Sequence, residues 1–309
     1  MFPGQGSQYI GMGKEFYEQI PICKEVYDLA SEVTGLDIPA LCFEENEKIN
    51  ITEYTQICML ATEAAIYMAL EQNGYQPDVT AGLSLGEYGA LIASGVMTAE
   101  EAFELVRKRG IFMQEAVPAG GAMAAVLGLD AAAIEQICRD TAEQTGSEVS
   151  IANYNCPGQI VISGQEEAVH LAGETCKASG AKRVVPLKVS GPFHSKMLRG
   201  AGEKLKEELK KVEISDSFVP YIANVTADYV TKKEEVKLLL ASQVSSSVRW
   251  QQTIERLLAD GADEFVEIGP GRTLSGFVKK VNRDVKVSSI DKMEDFIQFI
   301  GSHVEAGAC

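Results

Sequence analysis

The stretch Gly82-Leu83-Ser84-Leu85-Gly86 sets a serine between two glycines, with a β-prone run before it (Asp78 to Leu83) and a helical run after it (Glu87 to Ser94). A strand that turns sharply into a helix leaves its turn residue in a strained backbone conformation, and only glycine leaves room beside it. Ser84 would then stand exposed at the start of the helix. Its hydroxyl could attack a carbonyl carbon while the backbone N–H of Leu85 points at the oxygen that becomes negative. This constrains the fold to an α/β class, because the turn needs a strand and a helix packed together.

A serine hydroxyl is a weak nucleophile near neutral pH and needs a base. The chain has three histidines. His170 sits in an amphipathic helical run and His303 near the end of the chain, both poor positions for catalysis. His194 lies in the loop Ser190-Gly191-Pro192-Phe193-His194-Ser195, which follows a predicted strand, and such loops carry catalytic groups in α/β proteins. No acidic residue between Ser84 and His194 has the loop signals of a third triad member. A Ser84–His194 dyad is therefore expected, with the second imidazole nitrogen held by a carbonyl oxygen. The Gly4-Gln5-Gly6 backbone suits a second oxyanion donor. Arg109, on a helix opened by Thr98-Ala99-Glu100-Glu101, offers a planar fork that can grip a carboxylate in two places.

The remaining pattern fills in the α/β reading. Helices are predicted over Lys14 to Thr34 with a break near Pro21, over Thr52 to Asn73 with one apolar face, and over Ser195 to Lys211, Lys233 to Gln243 and Gln251 to Asp260. Strands are predicted at Pro220 to Val225 and Glu264 to Ile268. Between Gly121 and Val189 the order is β-α-β-β-α-β, a split βαβ or ferredoxin-like unit. Residues 122–189 are read as an inserted subdomain, with 1–121 and 190–309 forming a core around a mostly parallel sheet.

Totals exclude some classes. A formal net charge of −16 argues against nucleic acid as a partner. No run approaches the length of a membrane span, and no basic and then apolar segment opens the chain as an export signal would. The cysteines Cys23, Cys42, Cys58, Cys138, Cys156, Cys176 and Cys309 are scattered without a C-x-x-C pair, which points away from a metal site or disulfide scaffold and toward the cytoplasm.

Taken together, Phe2-Pro3-Gly4-Gln5-Gly6-Ser7-Gln8, the Ser84 segment through Glu87-Tyr88, Arg109-Gly110 with Met113-Gln114, Asn155-Cys156-Pro157-Gly158-Gln159, Gly191-Pro192-Phe193-His194-Ser195, Val248-Arg249-Trp250 and Glu267-Ile268-Gly269-Pro270-Gly271 resemble the malonyl-CoA:acyl carrier protein transacylases. The resemblance implies an α/β-hydrolase-like core carrying a ferredoxin-like insertion. It also implies transfer of a malonyl group from malonyl-CoA to the thiol of acyl carrier protein, by a monomer without a cofactor. Ser84 matches the nucleophile, His194 its base, Arg109 the arginine that pairs with the malonyl carboxylate, and the amides of Gln5 and Leu85 the oxyanion hole. Gln243 matches the residue that orients the histidine through its carbonyl oxygen, and Phe193 the malonyl-type pocket.

Leu83 departs from the pattern, since many members carry histidine there, and so does the start, where a short apolar strand usually precedes Phe-Pro-Gly-Gln-Gly. Without that strand the Gln5 loop should lack an anchor. An acyltransferase serving a polyketide synthase or malonate decarboxylase complex fits the same residues, and a serine esterase would need an acidic partner for His194. The carrier protein would dock on local positive charge, with Lys182, Arg183, Lys196, Arg199, Lys279, Lys280 and Arg283 as candidates.

Overall fold

A computed structural model describes residues 1–117, 119–189, 191–230 and 232–306. Ser190 of the His194 loop and Cys309 therefore lie outside the described residues. In chain order the elements are α1 (Lys14–Gln19), α2 (Pro21–Thr34), α3 (Ile38–Phe43), α4 (Thr52–Gln72), β1 (Thr80–Ala81), α5 (Gly86–Ala93) and α6 (Ala99–Ala116). There follow β2 (Gly121–Leu127), α7 (Ala131–Thr145), β3 (Val149–Cys156), β4 (Gln159–Gln165), α8 (Glu166–Ala178), β5 (Arg183–Pro186) and α9 (Arg199–Leu209). The chain continues through β6 (Tyr221–Ile222), α10 (Lys233–Gln243), α11 (Trp250–Ala259), β7 (Glu264–Ile268), α12 (Thr273–Val281), β8 (Lys286–Ile290) and α13 (Met293–Ala306).

Two parallel pairs, β1 with β6 and β7 with β8, form the central sheet. Met1 and Phe2 join them. The Phe2 N–H donates to the Ala81 carbonyl at 3.0 Å and its carbonyl accepts from Leu83, while the Met1 carbonyl accepts from Ile268 at 2.9 Å. The Met1 ammonium donates to the Val266 carbonyl at 2.7 Å. Two residues thus supply a central rung between β1 and β7. The expected loss of the Gln5 anchor does not occur, because these bonds hold the segment just before Pro3-Gly4-Gln5. Next to Met1, at the amino ends of β1 and β7, a cavity of about 450 Å³ opens between Val79 and Phe265. It lies at the sheet end opposite Ser84, which follows the carboxyl end of β1.

Helix α4 departs from its predicted single apolar face. It is buried on nearly every side from Thr55 to Tyr67, because α2, α5 and α6 all pack around it. A helix enclosed in this way needs small and apolar residues all round, which its Ala61, Ala64 and Ala65 supply. The predicted break at Pro21 is present, with Pro21 as first residue of α2, where its missing N–H costs nothing. The predicted helix from Ser195 opens instead with a single 3₁₀ turn, Lys196–Leu198, before α9.

Strands β3, β4, β2 and β5 form a separate antiparallel sheet in that order, covered by α7 and α8. Its core is its own, with Val126, Ile134, Ile151, Ile160, Ile162, Ala172 and Cys176 buried together. Each large aliphatic side chain buried there contributes about 1.5–3 kcal/mol. The last strand ends at Pro186 rather than Val189; Leu187 keeps one bond to β2, its N–H donating to the Met123 carbonyl at 2.9 Å, and Leu187 and Val189 line the cleft beside Ser84. A ladder contact between β3 and the segment before α11, with Tyr154 donating to Val248 and Val248 to Ala152, fastens this sheet to the central one. Among the described residues no helix is long and apolar enough to cross a membrane.

Candidate active site

Strand β1 ends at Ala81 and α5 begins at Gly86, so Ser84 occupies the turn between them. Its φ is +55°, the left-handed region that costs a non-glycine residue about 1–3 kcal/mol and persists only where neighbours hold it. The flanking glycines are required by contact. A Cβ on Gly82 would lie 1.9 Å from the Gly86 carbonyl oxygen, and one on Gly86 would lie 2.1 Å from the Phe2 carbonyl oxygen. Asn224, just after β6, clasps the turn on both sides: its Oδ1 accepts from the Ser84 N–H at 2.6 Å and its Nδ2 donates to the Gly82 carbonyl at 2.6 Å.

His194 reaches the same point from the loop after β5, and its φ is also positive, +58°. Its Nε2 lies 2.8 Å from Ser84 Oγ. Its Nδ1 faces two carbonyl oxygens, Gln243 at 2.9 Å and Ser246 at 3.2 Å. Facing only acceptors, Nδ1 must carry the proton, which leaves Nε2 free to accept the serine hydroxyl proton. Burial and the nearby Arg109 charge lower the imidazole to about 4, so it is neutral at pH 7 and able to act as a base. The expected contact of Ser84 with His194 is formed, and carbonyl oxygens stand where a hydrolase triad would place a carboxylate.

Arg109 comes from α6 and is buried, with 1% of its surface exposed. Its Nη1 donates to Gln56 Oε1 at 2.7 Å, and its Nη2 donates to Gln243 Oε1 at 2.9 Å and to Ser84 Oγ at 3.2 Å. Among the described residues no carboxylate lies within 4.0 Å of the guanidinium. The cation therefore sits next to the nucleophile without a paired anion, the arrangement that favours an incoming carboxylate.

Gln5 and Leu85 lie on either side of the Ser84 turn, the first on the cleft wall and the second next in the chain after Ser84. Gln5 lines the cleft with Ser84, and its Nε2 donates to Thr52 Oγ1 at 3.0 Å. Leu85 is the residue before α5, so its N–H belongs to the unpaired donors of a helix start. Neither backbone N–H donates to a protein acceptor among the described residues. The cleft is about 260 Å³ and runs between the central sheet and the antiparallel one, with Asn153, Asn155 and Gln159 on one wall and Leu83, Phe193 and Phe277 among the others. Phe193 is buried beside the histidine. Every predicted site residue therefore converges here, whereas His170 lies exposed on α8.

Four polar contributors were not legible beforehand. Glu87 sits inside a run that reads as ordinary helix, Gln56 inside an apolar one, and Asn224 near the end of a predicted strand. The fourth is the Gln243 side chain, since only its carbonyl was expected to matter. Position just past a strand end was the one signal that could have raised Asn224.

Comparison with known proteins agrees with this geometry. Residues 1–294 match the family described as "Acyl transferase domain". The malonyl CoA-acyl carrier protein transacylase of Bacillus subtilis (strain 168) is 50% identical over 296 residues, covering 95% of this chain and 93% of that protein. The solved structure of the malonyl CoA-acyl carrier protein transacylase of Clostridium perfringens superposes with a TM-score of 0.95 at 42% identity, covering 99% of this chain and 96% of that one. A malonyl-transacylase solved in complex with its holo type II PKS acyl-carrier protein gives a TM-score of 0.94 at 38% identity, covering 97% and 98%. A serine, a histidine and a buried arginine meeting at one turn, in a chain this similar throughout, leave one assignment: it belongs to the acyl transferase family, among the malonyl-CoA:acyl carrier protein transacylases.

Proposed function

We propose that this chain moves a malonyl group from malonyl-CoA to the phosphopantetheine thiol of an acyl carrier protein, through an ester on Ser84. His194 Nε2 takes the hydroxyl proton as Ser84 Oγ adds to the thioester carbon. The amides of Gln5 and Leu85 receive the developing oxyanion. The protonated imidazole is steadied by the Gln243 and Ser246 carbonyls and returns its proton to the departing coenzyme A sulfur. The carrier thiol then attacks the ester by the same steps in reverse. Arg109 holds the malonyl carboxylate and so fixes the ester for the thiol in preference to water. Every step is a proton movement or an addition at a carbonyl carbon, served by groups of one chain, so the reading needs no cofactor and no second subunit.

The observation that carries this reading is the shared contact of Ser84 Oγ with His194 at 2.8 Å and Arg109 at 3.2 Å. The strand order β3-β4-β2-β5 with two covering helices supports a ferredoxin-like insertion over residues 122–189, and the parallel strands meeting at a nucleophile turn support a hydrolase-like core over 1–121 and 190–309. Lys280, whose Nζ donates to Gln159 Oε1 at 3.1 Å on the cleft rim, is the best placed of the basic candidates for carrier docking. Brief exposure to malonyl-CoA followed by intact-mass measurement should add one malonyl group to the wild-type chain and none to Ser84→Ala. Holo carrier protein should then discharge it. Discharge to water at the same rate without carrier would favour an esterase instead.

A further inference from the structure

A buried guanidinium without an anion is costly, and Arg109 is surrounded by neutral acceptors: Gln56 Oε1, Gln243 Oε1 and Ser84 Oγ. The charge that answers it lies one amide away. Gln243 Nε2 donates to Glu87 Oε2 at 2.6 Å and to the Ser84 carbonyl at 2.8 Å, while Gln243 Oε1 accepts from Arg109 at 2.9 Å. This orientation is forced, because the NH₂ end of the amide must face the carboxylate and the carbonyl end must face the cation. Glu87 and Arg109 therefore sit at opposite ends of one dipole, each polarising it in the favourable sense. Glu87 is buried, its Oε2 also accepts from the Asn224 N–H at 3.2 Å, and its Oε1 has no hydrogen-bond partner among the described residues.

We propose that Glu87, acting through the Gln243 side chain, is the resident counter-charge of Arg109 and gives up that role by taking one proton when an acyl carboxylate seats on the guanidinium. The inference rests on the reading of Arg109 as the clamp for the malonyl carboxylate. With the substrate in place two carboxylates flank one cation, and like charges so arranged cannot both stay ionised cheaply. The substrate carboxylate pairs with the fork directly, whereas Glu87 is removed by an amide and has an unpartnered oxygen. Glu87 Oε1 is accordingly where the proton goes, and water supplies it. The other ionisable groups acting on this network are Tyr88 from the same helix, with the Arg109 guanidinium 5.5 Å from its ring, Tyr221 of β6, and His194. Both phenols are pushed far above neutrality by burial and the imidazole is held near 4, so none of them changes charge between pH 6.5 and 8. Glu87 itself is raised to about 7 by burial, with Gln243, Asn224 and Arg109 opposing the rise.

Malonyl loading should then be linked to uptake of a proton. The equilibrium fraction of malonyl-enzyme at a fixed ratio of malonyl-CoA to coenzyme A, read by quenched intact mass between pH 6.5 and 8, should fall with rising pH, by up to about tenfold per unit at the upper end. A dye measurement in weak buffer at pH 8 should show uptake approaching one proton per ester formed. In Glu87→Gln the ester, however slowly it forms, should show a flat profile and no uptake. A merely structural glutamate would shift stability without moving either readout. A flat wild-type profile, or an unchanged slope in Glu87→Gln, overturns the proposal, and the wild-type profile decides alone should that variant not fold. Arg109→Ala separates the two readings: loading as complete as wild type means the clamp itself has failed, whereas lost loading beside a flat wild-type profile removes only the role of Glu87.

Discussion

The molecule buries charge in two places and handles it differently. Around Ser84 the Arg109 cation and the Glu87 carboxylate are joined through the Gln243 amide. Behind the sheet the Met1 amino group lies near Glu63 and Glu267, where Glu267 accepts from the Leu274 and Ser275 N–H groups at the start of α12, while neither oxygen of Glu63 has a hydrogen-bond partner among the described residues. The first cluster is wired by hydrogen bonds, three of which hold the Arg109 cation in place. The second answers desolvation by shifting protons: burial lowers the Met1 amine to about 5 and drives Glu63 well above its ordinary range. On the proposed reading of Arg109 as the clamp for the malonyl carboxylate, the cation has to stay charged and unneutralised, and neutral amides achieve that where a directly paired carboxylate would block it. In the cluster behind the sheet mutual neutralisation suffices.

The contrast is broken most severely by removing the site cation. Arg109→Ala should lower kcat/KM for malonyl transfer by about two to three orders of magnitude, in line with about 2–5 kcal/mol for truncating one member of a buried charge network. Acetyl transfer, which offers no carboxylate, should change far less. Equal losses for the two acyl groups would show that Arg109 shapes the site without selecting the cargo. Asn224→Ala comes next. It removes both clasps from the Ser84 turn and leaves the Ser84 N–H and the Gly82 carbonyl without those partners. Stability in urea should drop by about 1–3 kcal/mol, and kcat should fall with little change in KM, because the nucleophile is displaced while the pocket remains.

Much of the site could be read from the chain because its chemistry depends on short local patterns. Gly82 is fixed by backbone contact at its own turn, Gly86 shows in the same short spacing although the Phe2 carbonyl is what excludes a side chain there, and His194 stood out as the one histidine in a loop after a strand. What could not be read is the part built from long-range contact. Gln56, Glu87 and Gln243 are separated by tens to more than a hundred positions, and each occupies a helix whose local pattern is satisfied without it. Burial turns them into a network, and burial of a single polar side chain leaves no mark on periodicity. The same holds for Met1 and Phe2: two residues cannot show a strand's alternation, yet they complete a ladder between β1 and β7. The enclosure of α4 does not show in its pattern, because the buried residues off its apolar face include the polar Thr55, Gln56, Thr62 and Glu63, which read as a solvated side.

The finest distinction between the clusters lies in how stability depends on pH. His194 falls to about 4 and Glu87 rises to about 7. The native state therefore holds fewer protons than the unfolded chain at His194 between pH 4 and 6.5, and more at Glu87 between 4.5 and 7. The first effect makes stability rise with pH and the second makes it fall, so they largely cancel over 4.5–6.5. Behind the sheet the Met1 amine, lowered from 8.0 to about 5, makes stability rise from pH 5 to 8, and the raised Glu63 opposes it. Replacing one carboxyl in each cluster should expose the uncancelled partner. Glu87→Gln should acquire a positive slope of up to about 1.4 kcal/mol per pH unit between 4.5 and 6.5, and Glu63→Gln a similar slope displaced to 5–8. By the same linkage Glu63→Gln should raise the urea midpoint at pH 7, since the amide has no ionisation to gain on unfolding whereas the raised carboxyl does. A large loss at pH 7 would mean that Glu63 is ionised and paired with the ammonium, and that the second cluster holds its charges as the first does.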